Sequence, residues 1–73
     1  MQEHDLVVLT RALPEDRLEA GDVGTVVLIH RGAAGYEVEF TTLTGETVAV
    51  LTLPPDAVRP VREREILHAR EVA

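Results

Sequence analysis

"YEVEFTTLTGETVAVLTL", residues 36–53, decides the fold. Tyr36, Val38 and Phe40 alternate with Glu37, Glu39 and Thr41, the two-residue period of a strand with one face buried and the other in solvent. "LTGE" at 43–46 places Gly45 where a tight hairpin needs a positive φ, and "TVAVLTL" at 47–53 is the returning strand.

On the amino-terminal side, "VGTVVLIHR" at 23–31 reads as another strand, joined to residues 36–42 by the turn "GAAG" at 32–35. "DLVVLT" at 5–10 is the first strand, a short apolar block rich in β-branched residues. Between these two lies "RALPEDRLEAGD", a long first loop punctuated by Pro14 and Gly21, with a helical turn expected over 15–18. On the carboxy-terminal side, Pro54 and Pro55 end the ladder and Asp56 is placed to cap one helical turn. Residues 58–61 then suit a short edge strand, where Pro60 is tolerated. The expectation is an all-β domain over residues 1–61, a small five-stranded SH3-like barrel. Residues 62–73, "REREILHAREVA", form a tail that packs on the barrel or on a neighbouring subunit. Ile66, Leu67, Ala69 and Val72 have roughly helical spacing, and an extended arm fits equally well.

Seventy-three residues make a domain whose core alone supplies little net stability. With no cysteine there is neither a disulfide framework nor a cysteine-based zinc site to add to it, and a reducing cytoplasm fits. The amino terminus, "MQEHDLVVLT", is too acidic and its apolar run too short for a secretory signal, and no stretch approaches a membrane span. A cytoplasmic protein is expected. The net charge of -6 disfavours nucleic acid and anionic lipid as partners. That charge is uneven: residues 1–58 carry three arginines against ten acids, and residues 59–73 carry four against three. The tail is therefore attracted to an acidic body, its own or a neighbour's.

Three strands are apolar on both faces: Leu6–Leu9, Val26–Ile29 and Val48–Leu51. A barrel this small takes only one face of each strand inward, so another surface must cover the rest. Val7, Leu9, Val27, Ile29, Ala49 and Leu51, with Ile66, Leu67 and Val72 of the tail, are the candidate interaction surface. Left bare, such a surface would be unusual on a monomer, which predicts a homo-oligomer or another protein partner.

"EAGDVGTVV" at 19–27 has the wrong form for a phosphate loop, because the chain has no lysine or serine and β-branched residues follow where a helix should start. Gly21, Asp22 and Gly24 instead read as a structural turn, Gly21 left-handed and Gly24 allowing a close approach or a bulge. His4, His30 and His68 are scattered without ligand spacing, so no metal ligand or cofactor is assigned. Glu37 and Glu39 project about 7 Å apart from one strand face, a spacing compatible with acid–base work and equally with a solvated outer face. Covalent catalysis has only threonine, tyrosine, histidine and carboxylates to draw on, and a non-enzyme is expected. The arginines of the tail alternate with Glu63, Glu65 and Glu71, which points to local ion pairs.

The stretch from Gly21 to Val26 looks like the core of the KOW motif of ribosomal and transcription-elongation proteins, whose modules bind RNA or protein through basic loops. Here the loop carries Glu15, Asp16, Glu19 and Asp22 against Arg11 and Arg17. Taken in order, "DLVVLTRALPE", "LEAGDVGTVV", "YEVEF", "TGETVAVLTL" and "VRPV" resemble a family of small bacterial proteins, domain of unknown function 4926. The resemblance implies an SH3-like barrel in a partner-binding role, by analogy a member of a toxin–antitoxin-like pair, and transfers no cofactor or catalytic residue. The function expected is a non-enzymatic interaction module. The alternatives are a KOW-like RNA-binding or translation-associated module and an accessory domain of a larger enzyme.

Overall fold

A computed structural model describes residues 1–73, the side chain of Ala33 excepted. Five strands form one antiparallel sheet: β1 (Leu6–Leu9), β2 (Val23–His30), β3 (Gly35–Thr41), β4 (Thr47–Leu53) and β5 (Val58–Pro60), in the order β4-β3-β2-β1-β5. β4 and β5 are its two edges. The sheet is not closed, so the architecture stands as an all-β antiparallel sheet. Among the described residues, no helix is long and apolar enough to cross a membrane.

The β3–β4 hairpin forms where the alternation places it. Thr42 N–H donates to Glu46 O at 2.8 Å, Gly45 N–H donates to Thr42 O at 3.0 Å, and Gly45 takes φ +91°. The first loop is ordered by a small ring of its own: Leu13 and Leu18 exchange main-chain hydrogen bonds of 2.9 and 3.1 Å around a 3₁₀ turn at Pro14–Asp16. Arg17, left-handed at φ +61°, ends that turn and lets Leu18 drop into the core. A second 3₁₀ turn, Pro55–Ala57, joins β4 to β5. Asp56 lies inside it and makes no cap, contrary to the sequence expectation; its carboxylate meets Arg11 at 3.0 Å on the surface.

Val7, Leu9, Val26, Val38, Phe40, Leu53, Ala57 and Val58 bury with Leu18, and Ile29, Tyr36, Ala49 and Leu51 pack against them half-buried. Two register shifts set which residues face this core. In β2, Val26 opposes Val38 and Leu28 opposes Glu37, leaving Val27 extra. In β4, Ala49 opposes Phe40 and Thr47 opposes Thr41, leaving Val48 extra. Each shift resets the alternation. Ile29 consequently lies beside Tyr36 on the core side, and Ala49 and Leu51 lie beside Phe40 and Val38. Val7 and Leu9 are fully buried. These five residues, expected on the interaction surface, belong to the core side; the outward positions are Leu6, Val8, Leu28 and Val50.

Gly24 is buried opposite Val7, and a Cβ there would stand 2.6 Å from Val38 Cγ1 and 2.9 Å from Phe40 Cε1. The strand passes over these two side chains only because this position has none.

Candidate interaction surface

The outer sheet face is assembled by register. One row runs Leu6, Thr25, Glu39, Val50, and a second runs Leu28, Glu37, Thr52. Its flanks are apolar and open: Leu6 is 45% exposed, Leu28 46% and Val50 50%, with Val27 exposed beside them at the bulge. Its centre is polar. The Thr47 hydroxyl donates to Glu39 Oε2 at 2.8 Å, the Thr52 hydroxyl donates to Glu37 Oε1, and His30 Nε2 lies 3.4 Å from that same oxygen. The Thr52 hydrogen bond, then His30, hold the Glu37 carboxyl below its ordinary value. A carboxyl held low keeps its charge at neutral pH, so Glu37 stands on this face as a charged acceptor for the Thr52 hydroxyl.

This face ends at β4, seven residues without one charge and with neighbours on one side only. The opposite edge, β5, is three residues long and includes Pro60, which has no N–H to offer.

Residues 61–73 contain neither helix nor strand, only a turn at 63–64, so the tail is an arm without regular structure. Two arginine forks fasten it. Arg59 donates to both oxygens of Glu65 at 2.8 and 2.6 Å, and the Arg62 N–H adds a third contact at 2.6 Å. Together they lower the Glu65 carboxyl to about 2. Farther along, Arg70 donates to Asp22 Oδ1 at 2.8 Å and Oδ2 at 2.6 Å, and to the Arg17 carbonyl at 2.9 Å. Asp22 is preset for this: Oδ2 also accepts the Glu19 N–H at 2.8 Å, so the carboxylate is oriented by its own turn. Arg70 first of all, and then that turn, hold the Asp22 carboxyl below its ordinary value despite partial burial.

The arm and the β3–β4 hairpin flank a groove of about 740 Å³ floored by Leu18, Phe40 and Val48. Val72 is half-buried on its wall. Ile66 and Leu67, between the two forks, are 95% and 55% exposed. Both arginines of the first loop are engaged within the chain, Arg11 with Asp56 and Arg17 with the main-chain oxygen of Ala73 at 3.0 Å.

Of the turn residues, Gly21 takes φ +98° and Asp22 closes the turn, as expected. The local ion pairing expected in the tail holds for Glu65. The Arg70 fork, closing over 48 residues, is the feature that sequence reasoning reached only as a charge asymmetry. His4, His30 and His68 join no group of three or more metal-ligating side chains among the described residues.

A family model, "Domain of unknown function (DUF4926)", matches residues 3–60. The chain belongs to this family. The DUF4926 match ends at the last residue of β5, so the arm lies beyond the matched region while its docking residue, Asp22, lies within it. Comparisons with curated proteins and with solved structures return no match.

Proposed function

We propose that this DUF4926 chain is a non-enzymatic protein-interaction module, a small SH3-like barrel whose outer sheet face and β4 edge receive another polypeptide, first of all a second copy. The barrel reading draws support from the strand order, the bulged β2 shared along the sheet, and the 3₁₀ turn before the last strand. A cytoplasmic setting accords with the absence of cysteine.

The observation that carries the reading is the uncharged β4 edge with Val50, 50% exposed, on its open face. An unpaired edge is a template for strand addition. Two β4 strands meeting antiparallel about a two-fold axis would bring no like charges into opposition, and each copy presents the same surface to the other. Burying a Val or Leu side chain contributes about 1.5–3 kcal/mol before association costs.

Sedimentation equilibrium tests this. The wild-type chain is expected to associate, and Val50→Asp to weaken association at least about tenfold without loss of the far-UV β signal. A chain that stays monomeric up to about 1 mM, or a Val50→Asp chain that associates as well as wild type, overturns it.

A further inference from the structure

We infer that residues 66–73 are a strap that locks the first loop, so that arm and loop close together along one side of the groove and open from it together. This device stands apart from the β4 edge and uses only contacts within one chain.

Its centre is a reciprocal clasp between two arginines. The Arg70 guanidinium donates to the Arg17 carbonyl at 2.9 Å and to both oxygens of Asp22, while the Arg17 guanidinium donates to the Ala73 main-chain oxygen at 3.0 Å. Each side chain grips the main chain of the other's segment. Arg70 Nη1 also lies 3.6 Å from Glu19 Oε2, so one guanidinium meets the loop at residues 17, 19 and 22.

The loop depends on this grip at its middle. Gly21 and Asp22 are tied to Leu9 of β1, but over residues 13–19 the loop's own hydrogen bonds reach no farther than Leu13 to Leu18. Arg17 is held left-handed at φ +61°, a conformation that favours glycine. Leu18, next in the chain, is buried in the core, so a loop that relaxes at Arg17 disturbs the seat of Leu18.

The arm has two anchors of unequal span. The Arg59–Glu65 fork closes over six residues, the clasp over 48 to 56. A short closure costs the least chain entropy, so the near fork stays formed when the far end lifts. Between the anchors, residues 66–69 are exposed and, among the described residues, make no hydrogen bond. They are the hinge, and the clasp with half-buried Val72 holds what lies beyond. Residues 17, 18 and 22 of the loop and 67–73 of the arm line the groove opposite the hairpin. Release of the clasp therefore withdraws these two sides together and bares the floor at Phe40 and Val48.

Hydrogen exchange on the full chain tests this. Arg70→Met keeps the apolar stem and removes the fork. The Arg17, Leu18 and Glu19 amides are expected to exchange at least about tenfold faster, the loss that hydrogen bonds to a charged group entail, while β3 amides keep their protection. Arg17→Met is expected to speed the same amides, and the combined effect to fall short of the product of the two, because breaking either half of the clasp loosens the other. Loop amides that exchange as in wild type in Arg70→Met, or effects that multiply strictly, overturn the inference. Arg70→Lys keeps the charge without the planar fork and is expected to fall between; a lysine as protective as arginine refutes the clasp. Emission of the dye 1-anilinonaphthalene-8-sulfonate is expected to rise and shift to the blue on Arg70→Met, with the far-UV signal unchanged, as the floor is bared. Unchanged emission refutes the opening of the groove.

Discussion

Replacing Gly24 by alanine adds one methyl group at the tightest crossing in the sheet. The added Cβ would stand 2.6 Å from Val38 Cγ1, 2.9 Å from Phe40 Cε1 and 3.0 Å from the Glu39 carbonyl oxygen, against about 3.5–4.0 Å for ordinary carbon contacts. Two neighbours are core side chains and the third is backbone of the adjoining strand, so none yields freely. Overpacking of this kind costs about 1–3 kcal/mol. Alanine also restricts the unfolded chain, returning about 0.4–1 kcal/mol, so the net loss is about 1–2 kcal/mol. For a domain of this size that lowers Tm by roughly 5–15 °C. Urea unfolding followed by far-UV circular dichroism measures it. Val38→Ala removes the nearest obstructing atom, so in the double variant the cost of Gly24→Ala falls by about 1 kcal/mol. A Gly24→Ala chain as stable as wild type, or a strictly additive double-mutant cycle, refutes the packing explanation.

The remaining predictions concern the first loop and the arm. Leu18→Ala opens a cavity beneath the loop and is expected to cost about 2–5 kcal/mol, read by the same unfolding assay. Asp22 and Glu65 both have carboxyls lowered in the folded chain, Glu65 to about 2. Their contribution is therefore complete above the unfolded values of 3.8 and 4.5 and is lost as pH falls through the folded ones. Stability should decline from pH 4.5 towards about 2, and the Asp22→Asn, Glu65→Gln double variant should show a shallower decline in an acid series of thermal melts. Arg70→Ala should raise protease cleavage after Arg64 while leaving the sheet protected from hydrogen exchange, because the fork holds the arm and not the core.

Much of the sheet is legible in the chain. Residues 36–41 alternate between apolar and polar, and only one face of such a strand can turn inward. Pro60 marks an edge, and β5 is one. Parity was illegible wherever both faces are apolar. In β1, Leu6 and Val8 look as suitable for burial as Val7 and Leu9. In β2, the run Val26, Val27, Leu28, Ile29 gives no hint of which residue is extra. The bulge decides it, and long-range pairing with β3 decides the bulge. The candidate surface was legible as a surplus of apolar residues, but its membership was not. The Arg70 fork could be read only as a difference in charge between the two parts of the chain, because its geometry exists only once the first loop has folded around Leu18.

The two borders of the sheet are unlike, and the difference limits assembly. Hydrogen-bonded growth into a filament requires every added subunit to offer a competent margin on both sides. One margin here is long and receptive, while the other is three residues with a proline among them. Were two receptive margins to join as proposed, both would be used up and only proline-blunted ones would face outward, so growth by strand pairing would end at the pair.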